Sequence, residues 1–274
     1  MANDYLTRKI QKNGALSKVL SLSYPEFPYN LLMKLLRKKD VFLNGKRVAD
    51  ASAEVGDEVR IFIKPNAINL KTLFINEDIL AVYKPKGVSS DGEYSFASLV
   101  AFVYENAVLL HRLDTNTDGI LLFALNPRAE ELLLYAMMKG EVIKEYRAVV
   151  YGEARFKNAT LTNYLLKDSK AGKVKIYDNH VKNAEKVTLE ATTISIKDGL
   201  STLKVIIHGG KTHQIRAQLA ANGYFIIGDG KYGDDRINRL YGKKSQELTA
   251  VKVTFALSND PLNLNGIVIT LDDN

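Results

Sequence analysis

The chain begins with helical spacing and later changes period. In "ALSKVLSLSY" the apolar Leu16, Val19 and Leu20 fall three and four positions apart. "PYNLLMKLLRKKD" places Leu31, Leu32, Leu35 and Leu36 on one face, with Lys34, Arg37 and Lys38 on another. Two short helices are expected there. "VFLNGKRV" then reads as two strands around Asn44-Gly45, a dipeptide suited to the left-handed backbone of a two-residue hairpin. "EVGDEVRIFI" reads as a turn and an alternating strand. "KPNAINL" has a proline and few long apolar side chains, which marks a linker ending near Leu70.

From Lys71 onward strand-like runs dominate: "DILAVYKPKG", "AVLLHRLD", "ILLFAL", "IKEYRAVVYG", "EKVTLEATTISI", "STLKVIIHGG", "AVKVTFAL" and "GIVITLDD". Two helical stretches interrupt them. "NPRAEELLLYAMMKG" has Pro127 in the first turn, Glu130 and Glu131 near its start, and Lys139-Gly140 at its end. "KTHQIRAQLAANG" offers Thr212 as N-cap and Gly223 past its C-terminus. The reading is an α+β protein. A small N-terminal α/β domain, residues 1–66, precedes a domain of residues 67–274 built on a large mixed, mainly antiparallel sheet.

Charge sharpens the picture of the first domain. Of the net +7, +5 lies within the first 68 residues, which carry twelve basic and seven acidic side chains. A charge run is usually a solvated face. Here the excess sits on Lys34, Arg37 and Lys38 and beside a tight hairpin bearing Lys46 and Arg47, which points to a nucleic-acid footprint. The 274 residues include no cysteine, which excludes disulfides, thiolate catalysis and cysteine zinc sites. The four histidines form no His-x-x-x-His pair. No signal-peptide core and no run of about 18 apolar residues is present, so a cytoplasmic protein without membrane contact is expected.

The chemistry concentrates in "AVLLHRLDTNTDGILLFAL". Two apolar runs flank His111, Arg112, Asp114 and Asp118-Gly119. Asp118, directly before a glycine, is the natural turn residue; this frees Asp114 for another role. A carboxylate between buried strands needs a cationic partner to remain ionised, and Arg112 and Arg216 are candidates. Tyr146, on a strand with Lys144 and Ala148, can pack or can stack on a nucleobase. The Lys84-Pro85-Lys86-Gly87 segment reads foremost as a rigid turn, with Lys86 as a phosphate contact at most.

Taken in order, "VYKPKGV", "HRLDTNTDG", "KEYRAVVYG" and "GGKTHQIRAQLAANGYFIIGD" resemble the motifs of the RluA family of pseudouridine synthases. "VFLNGKRV" with "GDEVRI" resembles the S4-type RNA-binding domain over residues 13–64. Together they resemble the ribosomal large-subunit enzymes of that family. The resemblance implies isomerisation of uridine in RNA without cofactor or metal. It implies Asp114 as the essential aspartate, Arg216 as the basic partner that orients it, and Tyr146 as the residue stacked on the target base. Arg112 would fill the gap left when that nucleotide leaves its stack. It also implies an RNA partner, ribosomal before transfer RNA; the chain carries no annular or coiled-coil signal, so a monomer is expected.

Four positions depart from the family pattern. Asp118 replaces the usual serine, Lys211 an arginine, Gln218 a frequent histidine, and Thr249 another histidine. Asp118 adds negative charge near the loop of Asp114. Two rival readings are a non-catalytic RNA-binding protein that keeps the fold and a hydrolase pairing Asp114 with Asp118. Retention of Asp114, Tyr146 and Arg216 weighs against the first. The absence of a distinct general acid weighs against the second.

Overall fold

The computed structural model describes residues 5–27, 29–63, 68–92, 95–168 and 172–271. The chain divides into two compact units, Met1–Lys71 with Gly87–Glu105, and Thr72–Lys86 with Asn106–Asn274. The domain boundary expected between residues 66 and 67 lies outside the described residues, as does most of the expected linker.

In the first unit a strand that the sequence pattern did not announce comes first: β1 (Tyr5–Lys9), then β2 (Gly14–Ala15). The two expected helices follow as α1 (Leu16–Ser23) and α2 (Tyr29–Arg37), and bury Leu16, Val19, Leu20, Leu32 and Leu35. The hairpin is β3 (Val41–Leu43) and β4 (Lys46–Val48); Asn44 and Gly45 both take positive φ, 48° and 77°, as a type I′ turn requires. β5 (Ser52–Ala53) pairs with β2, and β6 (Glu58–Phe62) completes an antiparallel sheet in the order β1-β6-β3-β4. Arg8 of β1 is buried against Glu26 and packs 4.3 Å from the Tyr24 ring centroid.

The second unit is organised by one eleven-stranded sheet. In chain order its start is β7 (Thr72–Ile75) and β8 (Ile79–Lys84). After α3 (Phe96–Val103), which belongs to the first unit, come β9 (Val108–Leu109), β10 (Asp118–Ala124) and helix α4 (Pro127–Lys139). Next are β11 (Val142–Tyr151), β12 (Ala159–Asp168), β13 (Lys173–Tyr177), β14 (Glu185–Lys197) and β15 (Leu200–Ile207). Helices α5 (Gln214–Ala221) and α6 (Asp235–Leu240) precede β16 (Leu248–Phe255) and β17 (Val268–Thr270).

The strand order is β13-β12-β14-β15-β11-β16-β10-β8-β7, with β17 on β16 and β9 on β10. Among the described strands every pairing is antiparallel except β10 with β16, so the sheet is mixed and antiparallel-rich. Helix α4 starts as its sequence predicts. The Asn126 side chain accepts from Ala129 N, proline occupies the first turn, and Gly140 closes the helix at φ 76°. Its buried face covers a core that includes Ile120, Leu122, Val142, Val253 and Phe255. Helix α5 covers the other arm of the sheet, where Ala217 packs with Leu165, Val174 and Val187.

Two local expectations fail. "AVLLHRLD" is a strand only at Val108–Leu109, and its polar half is a loop. Thr212 is not the N-cap of α5; His213 takes that place in a left-handed conformation. Gln214 explains the change, because its Oε1 accepts from Lys211 N and its own N–H returns to Lys211 O, closing the turn without Thr212.

Candidate active site

The loop between β9 and β10 is held from several sides. Thr117 N donates to Asp114 O at 2.9 Å, and Gln246 Nε2 donates to Thr117 Oγ1 at 2.6 Å. Fully buried Lys84, at the end of β8, donates through Nζ to Pro85 O at 2.9 Å and Thr115 O at 3.3 Å. Burial pulls its ammonium down to about 8, partly offset by the charges of Asp118 and Asp114. Leu113 turns inward on one side of Asp114 and Thr115 is tied down on the other. The carboxylate is thereby left at the surface of the loop, 24% exposed.

Gly119 fixes where that loop ends. Its φ is +116°, and a Cβ there would stand 2.2 Å from Ala250 O, so β10 approaches β16 closely only because the side chain is missing. Asp118 and Gly119 open a strand and pair with Thr249 and Ala250; they do not form the turn expected of them.

Helix α5 brings the partner. Arg216, 6% exposed, donates from Nη1 to Asp114 Oδ2 at 2.6 Å. Its remaining fork, Nε and Nη2, grips Asp229 Oδ2 and Oδ1, both at 2.7 Å. Asp229 is 1% exposed and also accepts from Lys231 N and Tyr232 N at 2.8 and 3.2 Å. Burial opposes charge on both groups and is the largest single influence on each. On Arg216 it is outweighed by Asp229 and then Asp114, which together raise the guanidinium. On Asp229 it is outweighed by Arg216 and the backbone donors, which lower the carboxyl. The result is a fixed guanidinium with one donor left over for Asp114.

Tyr146 lies on the buried face of β11, at a β-bulge where the register against β16 shifts between Glu145 and Tyr146. Burial, and then the nearby Asp114 charge, raise its hydroxyl well above the usual range, so it is a neutral phenol. Asp114, Arg216 and Tyr146 thus come together from three distant segments. Arg112 is exposed on the same loop. Lys34, Arg37, Lys38, Lys46 and Arg47 are all exposed on the first unit, where Arg47 stacks 5.1 Å from the Phe42 ring centroid.

Other predicted positions resolve differently. The His111 ring is held neutral, pushed to about 3 by burial and then by the charge of Lys144, and its Nε2 accepts from Leu122 N at 3.3 Å. Lys86 is paired with Glu247 at 3.5 Å. The extra charge of Asp118 is absorbed, since its two oxygens accept from Tyr83 Oη and Thr249 Oγ1, each at 2.8 Å. Gln218 faces away from Asp114, two residues past Arg216 on the helix, and donates to Asn163 Oδ1 at 3.1 Å. Sequence reasoning missed Asp229, Lys84 and Gln246. For Asp229 a signal exists: it directly follows the buried apolar pair Ile226-Ile227 and a glycine, where a carboxylate requires a partner.

A family model described as RNA pseudouridylate synthase matches residues 78–221, which include Asp114, Tyr146 and Arg216. The ribosomal large subunit pseudouridine synthase C of Rickettsia bellii is 30% identical over 254 residues, covering 81% of this chain and 83% of that one. An uncharacterized RNA pseudouridine synthase of Aquifex aeolicus is 28% identical over 254 residues, covering 80% and 76%. The fold is that of human RNA Pseudouridylate Synthase Domain Containing 1, with a TM-score of 0.64 at 22% identity over 75% of this chain and 84% of that one. With a matched segment spanning more than half its length, the chain belongs to the RluA-type RNA pseudouridine synthase family.

Proposed function

We propose that this enzyme converts uridine to pseudouridine in large-subunit ribosomal RNA, with Asp114 as the essential carboxylate. The observation that supports this most is the Asp114–Arg216–Asp229 chain beside a neutral Tyr146. In the reaction the N1–C1′ bond breaks, the uracil turns, a C5–C1′ bond forms, the C5 proton leaves to solvent, and N1 takes up a proton in its place. Asp114 has three routes open: attack on uracil C6, attack on ribose C1′, or removal of a ribose proton. All three start from the carboxylate, which Arg216 orients through its 2.6 Å hydrogen bond. Tyr146 stacks on the expelled base. Arg112, exposed on the same loop, occupies the space the base vacates.

The first unit supplies a second grip. Its two short helices, Asn44-Gly45 hairpin and exposed Lys34, Arg37, Lys38, Lys46 and Arg47 are read as an S4-like RNA-binding domain. Ribosomal RNA is the favoured substrate because the Rickettsia bellii relative is named for the ribosomal large subunit and a second RNA-binding unit suits a large folded RNA. The test is tritium release from 5-tritiated uridine in large-subunit ribosomal RNA and in transfer RNA. Release from the former that disappears in Asp114→Asn is expected. Release that survives in the variant overturns the role of Asp114, and release from transfer RNA alone overturns the substrate.

A further inference from the structure

His213 stands one turn before Arg216 with a backbone that a side chain seldom adopts, φ 55° and ψ 17°, and its side chain does not cap the helix. Its ring lies edge-on to Tyr232, with centroids 5.5 Å apart at 71°, and Arg216 sits 5.3 Å from the centroid of the same Tyr232 ring. One tyrosine therefore seats both residues.

The hydrogen bonds around Tyr232 favour one tautomer of the imidazole. Val174 N donates to Tyr232 Oη at 2.8 Å, so the phenol oxygen is already an acceptor there. Tyr232 Oη lies 2.9 Å from His213 Nδ1, and among the described residues no other acceptor is available to the hydroxyl. Donation of the phenol proton to Nδ1 completes the bonding of Oη and leaves the imidazole proton on Nε2 in that tautomer. Among the described residues nothing accepts from Nε2. The ring is partly buried and lies within the fields of Asp114, Arg216, Lys231 and Asp229. A strained, oriented donor without a partner beside a reactive carboxylate is a donor prepared for substrate.

We infer that His213, held as the Nε2–H tautomer by Tyr232, donates a hydrogen bond to a sugar–phosphate oxygen of the nucleotide on which Asp114 acts. This rests on the proposed reading of Asp114. The sugar–phosphate side follows from placement. Tyr146, assigned to the base, shares only Asp114 with His213 as an electrostatic neighbour, whereas His213 keeps company with the cations Arg216 and Lys231.

The experiment uses the full chain, 5-tritiated large-subunit ribosomal RNA, single-turnover tritium release and a separate RNA-binding isotherm. His213→Leu removes the donor. His213→Asn keeps a residue that tolerates the left-handed backbone and carries a shorter donor. Tyr232→Phe frees Nδ1 and lets the proton move. His213→Leu and Tyr232→Phe are expected to release tritium about tenfold more slowly with RNA affinity nearly unchanged, and His213→Asn to recover part of the rate.

Tyr232→Phe carries a signature that a structural role would not show. Its rate relative to wild type rises at acid pH, below the ordinary imidazole range because burial lowers the His213 ring, since the imidazolium carries a proton on both nitrogens. Transcripts made with 2′-deoxyuridine or with α-thiouridine triphosphate separate the two acceptors. The substitution that slows wild type but not His213→Leu marks the hydroxyl or the phosphate oxygen. Wild-type rates in His213→Leu and Tyr232→Phe, or full additivity with both transcripts, would overturn the inference while Asp114→Asn remains inactive. Release that persists in Asp114→Asn would instead remove the reading on which it rests.

Discussion

Thr249 donates its hydroxyl to Asp118 across the parallel junction of β10 and β16, with 2.8 Å between Oγ1 and Oδ1. Both residues depart from the family's usual pattern, and they are direct partners. Each explains the other: a carboxylate at 118 needs a donor opposite, and a threonine supplies one. Asp118→Asn and Thr249→Val should each cost about 1 kcal/mol of stability. The double variant should cost less than the sum, by at least about 0.5 kcal/mol, in denaturant unfolding. Strict additivity would show that the pair is not coupled.

Asp229 is predicted to control the rate without touching RNA. In Asp229→Asn the fork of Arg216 loses a charged acceptor and is free to reorient. A charge-assisted bond of this kind is worth about 1.5–3 kcal/mol, which corresponds to roughly 10- to 100-fold in single-turnover rate. RNA affinity should change little, because the carboxylate is buried beneath Arg216. An equal loss in affinity and no loss in rate would refute the positioning role.

His111 should make the fold acid-labile. Its ring titrates near 6.5 when unfolded and is pushed to about 3 when folded, through burial and the Lys144 charge. Between those values the unfolded chain binds the extra proton, so stability is intact above about 6.5 and falls as the pH drops toward 3. The slope from this one group is at most about 1.4 kcal/mol per pH unit. His111→Gln removes that contribution, and its pH–stability curve over the same window should be flatter than that of wild type by chemical denaturation.

Gly119→Ala tests the closeness of β10 and β16. With a Cβ set 2.2 Å from Ala250 O, the strands must separate or the loop must move. A loss above about 3 kcal/mol, or failure to fold, is expected in thermal and denaturant melts. A variant with wild-type stability and activity would show that this junction yields easily.

Changing Lys34, Arg37 and Lys38 together to neutral residues should weaken binding to ribosomal RNA and flatten its dependence on salt. The chemical step at saturating RNA should remain nearly intact. An unchanged salt slope would remove these side chains from the RNA footprint.

What was legible in the chain follows from how strongly each segment's own pattern agrees with its surroundings. Helices α1, α2 and α4 and the Asn44-Gly45 hairpin carry their periodicity or turn chemistry within a few residues. The meeting of Asp114 with Arg216 was legible through motif resemblance and is now seen as a 2.6 Å contact. The β12–β13 hairpin was not legible. A buried position of β12 holds Asn163, satisfied by Gln218 and Asp178, which breaks the apolar alternation that marks a strand. Lys84 hid for the same reason: a lysine at a core-facing position reads as solvent-facing until the carbonyls that receive it are located.

The central place of β16 has a consequence for synthesis of the protein. This late strand lies between β10 and β11, and its neighbourhood supplies Gln246 to Thr117 and Thr249 to Asp118, partners 129 and 131 positions away. A nascent chain ending before Leu248 would have unsatisfied edges on both flanking strands and a loop of Asp114 lacking part of its support. The Asp114 loop is therefore fully braced only once Leu248–Phe255 has been made, and a chain that stops short of it exposes the edges of β10 and β11 to aggregation.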